Sequence, residues 1–297
     1  MSTVPSPRIP LSAPGPLSAI LAGPLARGEA VVLITVAEAR GSTPREAGAC
    51  MAMGADWQIG TVGGGRLEQL GLETARRMLV EDGEPVRLDV PLGPAVGQCC
   101  GGHVVLTVER VDETVLYRLR AAEATALAGQ PWLMLFGAGH VGKAVARAMA
   151  PLPLRLVWVD SRASEFPPDP PVDADIRVAT ELPSQVALAP PGAGYLIMTH
   201  NHDLDFAITA EAIQRTDAAY VGLIGSHTKR QRFSRWYQAQ GYDPVHLRRL
   251  ICPIGAGLSG DKRPEVIAAL TVAEVLTTLL RRPPQTTVMM GDIYGAI

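Results

Sequence analysis

Long apolar runs, long basic runs and aromatic side chains are all scarce in this 297-residue sequence. No segment offers the ~20 consecutive apolar residues that a membrane-crossing helix needs. The Pro-rich start, MSTVPSPRIPLSAPGPLSAI, also lacks the apolar centre of a secretory leader. Those absences predict a cytoplasmic protein with no membrane role. The 27 Lys and Arg against 29 Asp and Glu leave a formal charge of −2, without the basic stripe that nucleic-acid binding leaves in a chain. Cysteine is rare too. Cys50, Cys99, Cys100 and Cys252 make no disulfide framework, so in a reducing compartment they are free thiols unless something binds them.

What is abundant points to an α/β protein. Hydrophobic residues make up 47% of the chain, enough for a real core, and 30 glycines with 25 prolines suit tight strand-to-helix turns. The length fits two domains. Residues 1–17 read as a flexible Pro-rich arm. Residues 18–111 read as a smaller α/β (α+β) domain, with strands in EAVVLITVAEA, PVRLDVPL and HVVLTVERV and an amphipathic helix whose Leu67, Leu70, Thr74 and Met78 share a face. A linking helix covers 112–130. From 131 to 297, short apolar runs (WLMLF, LRLVWVD, DIRVAT, GYLIMT, YVGLIG) alternate with helical stretches. That alternation predicts a Rossmann-like, doubly wound parallel sheet.

The strongest local motif is WLMLFGAGHVGKAVARAMA. A buried strand runs into Gly137, Gly139 and Gly142 at GxGxxG spacing, and a helix starts at once. The first glycine permits the tight turn, the second lets backbone approach a phosphate, and the third lets helix and strand pack closely. Asp160 closes the next strand where a ribose-binding acid belongs, and Arg162 is placed to accept an extra phosphate. A Gly-rich turn with no ligand is the plainer alternative.

Two further Gly-rich turns precede helices: Gly63–Gly65 in TVGGGRLE, and Gly255, Gly257 and Gly260 in CPIGAGLSGDKRPEVIA, where Asp261 is placed to cap and Pro264 falls in the first turn. Each is either an anion nest or a helix entry; together they suit a large phosphate-bearing ligand. THNHDLDF sets His200, His202, Asp203 and Asp205 past a strand end. They either hold a divalent metal or, more simply, cap a helix through Asp203 or Asp205 and hydrogen-bond locally, since spacing fixes no third ligand. Phe233, Trp236 and Tyr237 share one face of a basic helix and read as core. GQCCGGHV sets Cys99 and Cys100 together among glycines. In a loop both thiols can meet one ligand, whereas on a regular strand they point to opposite faces. A thiolate there suits a soft metal or the carriage of sulfur.

In order and spacing, ARGSTPREAGACM, GTVGGGRLE, GQCCGGHV, FGAGHVGKA, THNHDLDF, YVGLIGSHTKRQRF and CPIGAGLSGDKRPEVIA resemble the XdhC/CoxI family, in its XdhC branch of xanthine dehydrogenase accessory proteins. The resemblance implies a chaperone that binds the molybdenum cofactor (molybdopterin), supports its sulfuration with a cysteine desulfurase, and passes it to the molybdenum-binding subunit of xanthine dehydrogenase. It also implies a homo-oligomer, a homodimer in the simplest case, serving purine metabolism. By position it carries cofactor binding onto Gly63, Gly64, Gly65, Cys99, Cys100, Gly137, Gly139, His140 and Gly142, with Cys99 and Cys100 at molybdenum or its sulfido ligand; Gln98, beside the pair, and Asp160, from the Rossmann motif, complete the candidate cofactor-binding set. Arg66 replaces the cysteine that many CoxI-type relatives carry after the first Gly-rich turn; it either faces the pterin phosphate or is a surface charge. Two rivals remain. One is an NAD(P)-dependent oxidoreductase using Asp160, Arg162 and a histidine acid or base at His200 or His202. The other is an assembly factor that docks on its partner without carrying cofactor.

Overall fold

Side chains that alternate between two covered faces along VLITVAEAR build the centre of the N-terminal unit. In β1 (Val32–Arg40), Val32, Ile34 and Val36 face one side of a sheet and Leu33 faces the other. The computed structural model describes residues 15–81, 83–93, 101–171, 174–255 and 261–280, and the chain divides into two units, Met1–Ala126 and Leu127–Ile297. In the first, β1 joins β2 (Cys50–Met53), β3 (Gln58–Gly60), β4 (Val86–Pro91) and β5 (His103–Arg110) in an antiparallel sheet of order β3-β2-β1-β5-β4. Helix α2 (Gly65–Val80) lays Leu67, Leu72, Ala75 and Met78 on the face carrying Ile34 and Leu106. The other face is covered by Leu21 of α1 (Leu17–Ala26) and by Val115, Leu116 and Leu119 of α3 (Glu113–Ala128). Helix α1 has no strong sequence signal, because Pro24 interrupts it. Burial of Leu21 is what holds it.

The second unit holds the parallel sheet that the apolar runs predict. Its strands are β6 (Trp132–Phe136), β7 (Arg155–Asp160), β8 (Asp175–Val178), β9 (Gly194–Ile197), β10 (Tyr220–Leu223) and β11 (Leu250–Ile251). They lie in the order β11-β10-β9-β6-β7-β8 with every pairing parallel. The strand order reverses between β6 and β9, which makes their carboxyl ends the switch point of a doubly wound sheet. Period-2 alternation sorts β6 cleanly: Leu133 and Leu135 face one layer, Met134 and Phe136 the other. The first layer holds α4 (His140–Met149) and α7 (Pro264–Leu279); the second holds α5 (His202–Gln214) and α6 (His227–Ala239). Phe233 and Tyr237 are fully buried there beside Phe206, as the aromatic stripe of the basic helix predicts. Burying Phe233 contributes roughly 1.5–3 kcal/mol through removal from water.

The expected strand–helix alternation fails at two crossovers. Between β7 and β8, and between β8 and β9, the described chain forms only 3₁₀ turns, Ala163–Glu165 and Pro183–Leu188. The segments FPPDPP (166–171) and Pro183, Pro190 and Pro191 withhold the amides an α-helix would need.

Candidate functional site

The Gly137–Gly142 loop is specified by contacts that exclude any side chain at two of its three glycines. Gly137 has φ +115°, and a Cβ there would sit 2.3 Å from the Met198 carbonyl oxygen. A Cβ on Gly142 would meet the Gly137 carbonyl oxygen at 2.1 Å. Gly139 differs: its φ is −69° and a Cβ would meet nothing within 4 Å. The middle glycine therefore borders open space at the start of α4, where a backbone-bound anion belongs. Neighbouring strands clamp the loop. Gly137 N donates to Val159 O (2.8 Å), Met198 N to Phe136 O (2.9 Å) and Trp158 Nε1 to Gly137 O (3.0 Å). His140 is exposed at the first position of α4.

Asp160 lies where the ribose-binding acid is expected, but its carboxylate is fully engaged. Oδ2 accepts from Ala138 N (2.7 Å) and Arg162 Nη2 (3.0 Å), while Oδ1 accepts from Arg162 N (2.9 Å) and Nε (3.0 Å). Four donors fill the roughly four acceptor positions of a carboxylate. Burial pushes this acid up, yet the Arg162 guanidinium and the two amides more than offset that and hold it below the usual carboxylate range. Arg162 in turn reaches Glu165 (3.2 Å), which also meets Lys143 (3.4 Å). The two groups expected to read a ribose and an extra phosphate thus read each other.

The Gly63–Gly65 turn also has an internal anion. Glu68 Oε2 accepts from Thr61 Oγ1, Val62 N (3.2 Å) and Gly64 N (3.2 Å). Gly63, Gly64 and Gly65 all take positive φ, so the turn needs glycine for its path, and the amides of Val62, Gly63 and Gly64 already have acceptors within it. Arg66 is exposed and pairs with Glu73 at 3.3 Å. Sequence reading missed Glu68, although an acid in the first turn of a helix is an ordinary partner for entry amides.

At THNHDLDF the structure redistributes the roles. Asn201, not Asp203 or Asp205, caps α5, accepting from the amides of Asp203 (2.7 Å) and Leu204 (3.2 Å). Its carboxamide sits one residue before the helix, where a cap must be. Asp205 is fully buried, accepts from Thr199 N (2.8 Å) and Thr199 Oγ1 (2.7 Å), and pairs with Lys229 Nζ from α6. Among the described residues no three of His, Cys, Asp and Glu gather as a metal site. Cys50 and Cys252 are both pushed up by burial, Cys50 with Thr35 and the Gly48 carbonyl as partners; neither is an activated thiol. Gln98, Cys99, Cys100, Gly257 and Gly260 lie outside the described residues.

A six-stranded sheet in this order, with a tight Gly loop at the switch point, defines a Rossmann domain fused to an antiparallel α/β unit. Residues 133–275 match the model of the XdhC Rossmann domain, and residues 25–90 match that of the XdhC and CoxI family. The chain belongs to the XdhC/CoxI family. The Escherichia coli protein YqeB is 29% identical over 248 residues; the match spans 81% of this chain and 42% of YqeB. A solved Bacillus halodurans structure, described as a xanthine dehydrogenase, superposes with a TM-score of 0.71 at 20% identity, covering 92% of this chain and 98% of that one. At that identity the likeness is one of fold. Among the described residues no helix is long and apolar enough to cross a membrane.

Proposed function

We propose that this protein is a maturation factor for xanthine dehydrogenase, which binds the molybdenum cofactor, supports its sulfuration and delivers it to the molybdenum-binding subunit. Family membership supports a maturation role. The geometry of the Gly loop favours a pterin phosphate over a dinucleotide. Gly139 leaves a cradle beside backbone amides that suits a phosphate, while the acid that would grip a ribose is saturated by Ala138 and Arg162. That pairing of an open cradle with a closed ribose acid is the observation on which the reading rests.

In this reading Gly137, Gly139, His140 and Gly142 hold the phosphate end, and Cys99 and Cys100 offer thiolates to molybdenum or its sulfido ligand. When bound, the cofactor supplies the molybdenum centre that the target enzyme uses. The protein's own work is to hold and cover it, in partnership with a cysteine desulfurase and as a homo-oligomer.

The test is to add molybdenum cofactor to the purified protein, and to its Cys99→Ala and Cys100→Ala variants, and to follow retention and activation of xanthine dehydrogenase apoenzyme. Retention by the parent with loss in at least one variant is expected. No binding at any excess, or tight NADPH binding with turnover, would discard the reading.

A further inference from the structure

One strand over from the Gly loop, the carboxyl ends of β9 and β10 open into a second cleft of about 410 Å³. It is lined by Thr199 and His200 of the loop after β9 and His202 at the start of α5, and by Ser226 before α6 with Lys229 and Arg232 of α6, while Ile224, Gly225 and Thr228 complete the wall. Two cations, two imidazoles and three hydroxyls face it, and no carboxylate does. The acid beneath, Asp205, is covered and bound to Lys229. From this cluster we infer a binding site for a phosphate monoester, separate from the Gly137–Gly142 loop.

The lysine is built into place. Its backbone amide donates to Ser226 Oγ (3.3 Å), and its ammonium is fixed on a carboxylate that is itself held by Thr199. Gly225, at φ +157°, makes room for the stem: a Cβ there would lie 2.5 Å from Lys229 Cδ. Only 12% of the side chain is exposed. A buried ion pair is a poor source of stability, since desolvation offsets most of its Coulomb gain. Its effect here is to present an ammonium, with two of its three donors left after Asp205, to an otherwise acid-free cleft.

The remaining donors have no internal use. Among the described residues Arg232, His200, His202 and Thr228 have no side-chain hydrogen-bond or ion-pair partner, and the amides of His227 and Thr228 have no acceptor. An ammonium, a guanidinium, a hydroxyl and two amides exceed the roughly four acceptor positions of a carboxylate, whereas a phosphate dianion with three terminal oxygens can use them. The cleft has room for the organic part of the ester as well. A divalent metal is disfavoured, because Lys229 and Arg232 would repel it and no acid would balance it.

The inference is independent of the pterin reading, since its probe contains neither pterin nor molybdenum. Inorganic phosphate is titrated into the full chain while the ring signals of the six histidines, assigned by His→Gln substitution, are followed by NMR. Saturable shifts at His200 and His202 are expected, whether or not His140, beside the Gly139 cradle, responds as well. Arg232→Gln should weaken binding at least about tenfold, the value of one charged hydrogen bond. Thr228→Val should weaken it less. Lys229 stays in place, because its removal strands the Asp205 carboxylate. The site is overturned if His140 responds and His200 and His202 do not, if no signal saturates, if Arg232→Gln binds as tightly as the parent, or if Zn²⁺ saturates the two rings where phosphate does not.

Discussion

The two Gly-rich turns at Gly63–Gly65 and Gly137–Gly142 look alike as sequence, each a strand end, a run of glycine and a helix. They differ in where their carboxylate comes from. Glu68 belongs to the helix that the first turn opens, and it takes the amides of Val62 and Gly64 together with the Thr61 hydroxyl. Asp160 belongs to the neighbouring strand and takes only the Ala138 amide from the Gly loop, leaving the space beside Gly139 open. A glycine pattern therefore announces a backbone path, not a ligand. Whether the path can receive an anion depends on whether the protein already supplies one.

Substitutions can break this comparison, beginning with the largest expected effect. Gly137→Ala should cost about 3 kcal/mol or more, since it combines a left-handed φ with a backbone clash. Denaturant unfolding checks this, and a loss under 1 kcal/mol would mean the loop yields easily. Glu68→Ala should cost about 2 kcal/mol by stranding three donors, and should make melting more sensitive to added phosphate than the parent's. A variant no more phosphate-sensitive than the parent would show that the emptied turn collapses.

Asp160→Asn should cost about 1–2 kcal/mol at pH 7, with Arg162 only partly shielded from water. Because the folded acid is held below its unfolded value, its contribution is complete above about pH 4 and is lost as pH falls through the folded pKa. The gap between parent and variant should therefore close in acid; a gap constant from pH 7 to pH 2 would assign it to packing. Gly139→Ala should change stability least, within about 1 kcal/mol, yet abolish retention of a phosphate-bearing cofactor. Unchanged retention would remove the cradle from the mechanism.

Much of the C-terminal fold was legible because its signals are local. β6, the Gly loop and α4 follow one another in 18 residues, and Phe233 and Tyr237 reveal their buried face by spacing alone. What the sequence hid was long-range or subtractive. The Asp205–Lys229 pair joins residues 24 apart on different helices, and nothing in THNHDLDF names its partner. Asn201 outcompetes two nearby acids as the cap through position, a distinction of one residue that helix boundaries read from sequence cannot resolve. The saturation of Asp160 was hidden for a different reason: the residues were all in view, but motif reasoning asks which groups are present and not which are already spoken for.

The clasp between Asp160 and Arg162 spans a single intervening residue at one strand end. Such a device is wholly local, and it can be edited by one codon without disturbing the sheet beneath. Rossmann domains could thus gain or shed affinity for dinucleotides by a small step in sequence, with Arg162→Ser as the change that would hand the freed carboxylate back to a sugar.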